Sequence, residues 1–229
     1  REIARTLSSE NRLILCGRDQ ERLQETKNLC AQSEQHLVWS YDLADTSQIG
    51  EALKEFLREK EVFVSSFVHS AGMSPISPLR MLTMAQMHEI MDVNFFSAAE
   101  ILKVLSSKKI NKKSLQSVVF ISSIASQFGT KGQSVYAASK AALDAFMRSI
   151  AVELAPRTRL NSVLPGGIET AMSEQFLQSG IDLSALDKDY LLARGKTKDI
   201  ANMVEFLLSD KARWITGQSF IVDGGKTAF

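Results

Sequence analysis

Charge of one sign is what this sequence most lacks: its 229 residues carry 27 Lys and Arg against 26 Asp and Glu, a formal net charge of +1. Nucleic acid and anionic membranes reward a clustered excess of basic side chains, so neither is an expected partner. Cysteine is scarce too, at two residues, with Cys16 in an apolar run and Cys30 in a helical pattern. No Cys or His cluster has metal-ligand spacing, so neither a disulfide framework nor a metal site is expected, and a reducing, cytoplasmic setting fits. No run of about 18 apolar residues exists, which leaves no transmembrane span. The four prolines are scattered, and there is no low-complexity stretch or Gly/Ser linker. One domain over residues 1–229 is the expected organisation.

What the sequence does have is alternation. Ile3, Ala4 and Leu7 share a helical face, which reads as the later turns of a helix whose start is missing. A Ser8-Ser9-Glu10-Asn11 turn then leads to a short apolar run bounded by Gly17. Helices are expected over 19–34, 46–59, 83–105, 136–154 and 197–208, and strands over 12–16, 37–41, 62–68, 117–121, 159–164 and 219–222. Thr83 opens the third of these helices, with Gln86 as its capping-box partner. Short strands apolar on both faces, alternating with helices, predict an α/β fold, a doubly wound parallel sheet with helices on both sides. The stretch 171–194, with Gly180 and little periodicity, is a candidate substrate lid.

The strongest chemical signal is Tyr136-Ala137-Ala138-Ser139-Lys140, which puts a phenol and an ammonium four residues apart on one helical face. Alone, such a pair is ordinary surface decoration. Its weight comes from Ser122-Ser123 at the end of an apolar strand and from Asn94 inside a long helix, since ligands of open α/β sheets gather at strand C-terminal ends.

Together these residues resemble the short-chain dehydrogenase/reductase family, which sets a Ser, Tyr and Lys beside a helix Asn. Ser123 stands thirteen residues before Tyr136, the family's spacing, so Ser123 rather than Ser122 matches the catalytic serine. Similar to the family as well are Asp92-Val93-Asn94, Asp42-Leu43, His69-Ser70-Ala71-Gly72 and Leu164-Pro165-Gly166-Gly167-Ile168-Glu169-Thr170. Ile215-Thr216-Gly217-Gln218 and Val222-Asp223-Gly224-Gly225 complete the pattern, which is nearest to 3-oxoacyl-acyl carrier protein reductases.

The resemblance implies a Rossmann-type fold and an oxidoreductase that moves a hydride between a nicotinamide cofactor and a carbonyl/secondary-alcohol pair, a 3-oxoacyl thioester among the candidates. It implies Asn94, Ser123, Tyr136 and Lys140 as the catalytic set. Around the cofactor it implies Tyr136, Lys140, Asp42, Leu43, Ala71, Gly72, Pro165, Gly166, Ile168 and Thr170, and it implies a homotetramer or homodimer. In this scheme Lys140 also meets the nicotinamide ribose and Asn94 continues a water relay from it. The chemistry explains the residue types. A free phenol with a pKa near 10 is a poor proton partner at neutral pH. A cation within about 4–6 Å lowers that pKa, the part expected of Lys140, while the Ser123 hydroxyl holds the carbonyl oxygen.

Cofactor choice rests on Leu15-Cys16-Gly17-Arg18-Asp19. A carboxylate at that strand end would pair with a ribose 2′-OH, whereas Gly17 leaves room and Arg18 offers a cation for a 2′-phosphate, favouring NADP(H) over NAD(H). The competing reading makes Arg18 a solvated loop residue and Asp19 a helix N-cap.

The sequence departs from the family at its start. Arg1 aligns just after the family's Gly-rich TGxxxGxG turn, so a first strand and turn of roughly 15 residues are expected to be missing from it, leaving two strand edges unpaired. The expected working protein is longer; a non-catalytic binding or regulatory protein on the same scaffold, or an inactive fragment, is the alternative. An NAD-dependent epimerase or dehydratase is disfavoured by the Ile215–Gln218 and Asp223–Gly225 motifs, which belong to the shorter reductase type. His69 replaces the family's usual Asn and is expected to bond backbone rather than to react. Arg157 matches a position that meets the acidic acyl carrier protein, with a solvated surface Arg as the competing reading. Met73, Met81, Met84, Met87, Met91 and Met172 either line an apolar pocket or belong to the core.

Overall fold

The computed structural model describes residues 1–169 and 190–228. Thr170 and positions 171–189 of the expected lid lie outside them. In chain order the elements are α1 (Glu2–Leu7), β1 (Ile14–Gly17), α2 (Gln20–Asn28), β2 (Leu37–Ser40), α3 (Ile49–Glu59), β3 (Ser66–His69), α4 (Met84–Met91), α5 (Ser97–Ser106), β4 (Ser117–Ile121), α6 (Ser134–Leu154), β5 (Arg159–Pro165), α7 (Thr197–Leu208) and β6 (Ser219–Val222). Every strand pairing is parallel.

Period-two alternation along β4 explains how the sheet is covered on both faces. Val118 and Phe120 pack with Leu53 and Phe56 of α3, Leu102 of α5 and Leu143 and Met147 of α6. Val119 turns the other way, to Leu7 of α1 and Ile200, Val204 and Leu207 of α7. Each such side chain, fully buried, contributes about 1.5–3 kcal/mol. The doubly wound parallel α/β architecture is therefore the one expected.

The sheet falls into two parts, β1-β2 and β3-β4-β5-β6. The edges of β1 and β3 have no strand partner among the described residues, matching the two unpaired edges anticipated. A cavity of about 590 Å³ lies between them, with Leu15 and Cys16 on one side and Phe67, Val68 and His69 on the other.

The helix expected over 46–59 begins at Ile49, the strand expected over 12–16 runs Ile14–Gly17 and that over 37–41 ends at Ser40, and two further elements depart more from the periodicity. The helix expected over 19–34 ends at Asn28, because Ser8 Oγ takes the Ala31 N–H at 2.9 Å and Gln32 turns to φ 52°. The strand expected over 62–68 begins only at Ser66. Upstream, the Asn111 side chain accepts from Val64 N at 2.7 Å and donates to Val64 O at 2.8 Å, satisfying the backbone that a neighbouring strand would otherwise pair. The helix expected over 83–105 does run through, opening on the Thr83–Gln86 capping box. It is interrupted by one π turn, Asp92–Phe96.

Candidate active site

β4 delivers the two serines, and the structure separates their roles. Ser122 is 3% exposed and donates to the carbonyl of Lys140 at 3.3 Å, a packing contact. Ser123 caps a short 3-10 turn, accepting from Ala125 N at 3.1 Å, and faces a cavity of about 530 Å³.

α6 supplies the other two groups. Its buried stripe is Ser139, Lys140, Leu143, Asp144, Met147 and Ala151, the spacing of one helical face. Leu143 and Met147 anchor that face in the core, so Lys140 is carried under the surface with them and is 4% exposed. Its ammonium donates to the carbonyl of Ile121, the last residue of β4, at 2.9 Å and lies 5.8 Å from the centre of the Tyr136 ring. Tyr136 lines the same cavity as Ser123, close enough for the serine hydroxyl to act on the phenol.

Burial dominates the electrostatics. It pushes the Tyr136 phenol above its usual range, and the neighbouring Ser123 hydroxyl only partly offsets this. The expected lowering of the phenol by Lys140, whose ammonium lies 5.8 Å from the ring centre, is not what governs it: desolvation of the phenolate is. Burial likewise brings Lys140 down to about 8, against the pull of Asp144. His69, at the end of β3, falls to about 3, first through burial and then through the charge of Lys140. It is a neutral imidazole at ordinary pH, and backbone groups of Asn94 and Val93 are its polar surroundings.

The π turn places Asn94. The extra residue in that turn swings Asn94 inward, where it is wholly buried. Its Oδ1 accepts from Met73 N at 2.8 Å, and its Nδ2 donates to Met73 O at 3.0 Å and Ser139 Oγ at 2.9 Å. These bonds hold the 72–73 backbone against Lys140: a Cβ on Gly72 would stand 3.2 Å from the ammonium.

The cavity beside Ser123 thus gathers Tyr136, Lys140, Gly72, Pro165, Gly166 and Ile168. Gly166 is needed where it is, since a Cβ there would come within 2.8 Å of Asp223. Asn94 stands behind this wall rather than in it. Leu43 and Ala71 line the second cavity, which adjoins the first at Arg1, Ile3 and Ser70. Asp42 accepts from Ala44 N at 3.0 Å. Arg18 is exposed at the end of β1, and Asp19 caps α2 by accepting from Arg22 N at 3.0 Å. Among the described methionines of the expected pocket, Met73, Met81, Met84, Met87 and Met91, none lines either cavity.

Sequence reasoning passed over three residues. Ser139 links Asn94 to α6, and Asp144 stands on the stripe as a buried carboxyl side chain. The 140/143/144/147/151 spacing, read as a stripe, would have marked it as buried. Tyr190 accepts from Gly167 N at 2.7 Å and closes the far side of the cavity; no local pattern marks it.

Residues 1–227 match the protein family described as Enoyl-(Acyl carrier protein) reductase. The chain belongs to the short-chain dehydrogenase/reductase family. It is 30% identical over 185 residues to the 3-oxoacyl-[acyl-carrier-protein] reductase FabG of Thermotoga maritima, covering 80% of this chain and 74% of that one. To carbonyl reductase family member 4 of Xenopus tropicalis it is 32% identical over 205 residues, covering 89% and 83%. Two solved structures share the fold. ElxO with NADP bound matches at TM-score 0.86 and 22% identity over 100% of this chain and 94% of its own. 4-Hydroxyisoleucine dehydrogenase complexed with NADH and succinate matches at 0.86 and 25%, over 97% and 92%. As a short-chain dehydrogenase/reductase the protein is an oxidoreductase, and the fold serves either nicotinamide cofactor, so the choice between them must come from this chain's own residues.

Proposed function

We propose that this short-chain dehydrogenase/reductase is an NADP(H)-dependent carbonyl reductase whose substrate is a 3-oxoacyl thioester. The observation that carries the reading is that Ser123, Tyr136 and Lys140 line one cavity, with the Lys140 ammonium fixed on the carbonyl of Ile121.

The cavity fits a nicotinamide. Gly72 lets the backbone pass close to the Lys140 ammonium, Gly166 lets the 165–167 turn lie against Asp223, and the wall between them is mostly apolar. Lys140 and Tyr136 would hold the nicotinamide end, and Gly72 and Pro165 to Ile168 its flanks. The cofactor supplies the hydride. Ser123 and Tyr136, which line one cavity, would both donate to the substrate's carbonyl oxygen. Burial keeps the Tyr136 phenol protonated, so it is a donor ready to pass its proton to that oxygen as the alcohol forms. The resulting phenolate is stabilised by the Lys140 ammonium and by Ser123. Asn94 keeps Gly72 and Met73 from collapsing onto Lys140.

Arg18 supports NADP(H): with Asp19 committed to its cap, the guanidinium is the charge offered at the β1 end. An apolar tail is supported by Ile76 and Phe128, 42% and 45% exposed beside the Thr130–Gln133 rim of the cavity. Arg157, half-buried, is the position at which an acidic carrier would dock. Free Cys16 and Cys30 suit a cytoplasmic enzyme, which we take to be a homotetramer or homodimer. The test is oxidation of NADPH and of NADH with acetoacetyl-coenzyme A, alongside Tyr136→Phe. The expected outcome is turnover with NADPH that the variant loses while it still binds NADPH by fluorescence titration. Turnover retained by Tyr136→Phe overturns the assignment of the proton donor.

A further inference from the structure

Among the described residues, four of the seven buried side-chain polar atoms without partners fall in one place outside the reacting groups. Among the described residues both carboxylate oxygens of Asp144 lack a hydrogen bond, as do the hydroxyls of Ser162 and Ser219. Asp144 is 4% exposed and Ser162 fully buried. A bare carboxylate in such a place costs several kcal/mol, so its presence calls for a partner or a task.

The register places the three residues in one layer. Leu160 packs with Leu143 and Met147 of α6, so Ser162, two residues along β5, faces α6 as well. Ser162 pairs with Ser219 across the parallel β5–β6 ladder, which aims the Ser219 hydroxyl to the same side. Lys140 meets Ile121 O, and Ile121 pairs with Val163. One helical turn on from Lys140, about 6 Å down the helix, Asp144 comes to the level of Ser162.

Resting on the reading of Lys140 given above, we propose that Asp144 is a positioning residue for Lys140: an ionised carboxylate, solvated by ordered water shared with Ser162 and Ser219, that keeps the catalytic lysine charged. The pair makes no ion pair within hydrogen-bonding reach, so the effect travels through the low-dielectric interior rather than by contact. Burial alone drives Lys140 toward neutrality, and Asp144 is the one charge that opposes it. Among the described residues the neighbouring elements add no rival: His88 and Glu89 of α4 are exposed, and Asp92 of the π turn accepts from Thr46 Oγ1. β3 brings His69, which is neutral; Tyr136 on α6 is protonated; the π turn brings the amide of Asn94; β4 and β5 bring Phe120 and Ser162 at this level. Arg148, one turn past Asp144, is exposed, and Arg159 lies at the far end of β5.

The experiment follows the Lys140 ε-carbon by NMR in protein labelled with [13Cε]lysine, assigned through Lys140→Arg, from pH 6 to pH 11. Wild type is expected to titrate near 8, and Asp144→Asn at least about one pH unit lower. The alkaline limb of kcat for NADPH-driven acetoacetyl-coenzyme A reduction should move by the same amount. Ser162→Ala, which leaves the charge in place, should move the midpoint far less. An unchanged Lys140 midpoint in Asp144→Asn overturns the proposal. Should that variant not fold, 13Cγ-aspartate labelling of wild type decides: an Asp144 resonance typical of a neutral carboxyl at pH 7 also overturns it. Because NMR reads the lysine without turnover, an enzyme that ignores acetoacetyl-coenzyme A counts against the substrate class alone.

Discussion

Asn94 donates to Ser139 Oγ at 2.9 Å, and Ser139 donates in turn to the carbonyl of Tyr136 at 2.7 Å. The π turn of one helix is thereby tied to the first turn of the helix that carries the phenol. Removing the link leaves a buried amide N–H short of a partner, which costs about 1–3 kcal/mol. Ser139→Ala is expected to lower stability by that much in urea unfolding. Its kcat should also drop, as Tyr136 loses one of the bonds that seat its backbone. Unchanged stability would mean that the Asn94 bonds to Met73 suffice.

Gly72→Ala tests how closely the 72–73 backbone approaches the lysine. The new methyl would sit 3.2 Å from the Lys140 ammonium and 3.4 Å from Asn94 Oδ1, so one of them must give way. Misplacement of a catalytic group by about 1 Å is worth up to 100-fold in rate. The expectation is a fall in kcat of about 10- to 100-fold with little change in the thermal midpoint. Full activity would show that the loop moves aside freely.

His69 makes the fold sensitive to acid. Its folded pKa of about 3 lies below the 6.5 of an unfolded histidine. Between those values the unfolded chain binds the extra proton, so stability falls as pH drops from 6.5 toward 3. The shift corresponds to at most about 5 kcal/mol. His69→Asn is expected to flatten that part of the stability profile relative to wild type. Parallel curves would show that carboxylates, not His69, set the acid limit.

Arg18→Asp is expected to raise the KM for NADPH by about 10- to 100-fold, the value of a charge-assisted phosphate contact, and to leave NADH unharmed or improved. Equal effects on the two cofactors would return Arg18 to the solvent.

Much of this protein is written in local pattern. The alternation of strands and helices, the Thr83–Gln86 cap and the span of α7 follow from spacing among neighbours in the chain, because period and capping are properties of contiguous residues. The family resemblance rests on the same legibility, through Tyr136, Lys140 and the motifs at Asp42, Gly72 and Gly166.

Tertiary structure decided the rest. That β3 starts at Ser66 depends on the Asn111 side chain reaching Val64 from 47 residues away. Asn94 turns inward only because a π turn shifts the helix register. The phenol of Tyr136 rises rather than falls, and Asp144 is carried under the surface one turn from a buried lysine, because burial is set by which elements pack together. Spacing along the chain places side chains on a face; the dielectric around them, and so their chemistry, is set by what covers that face.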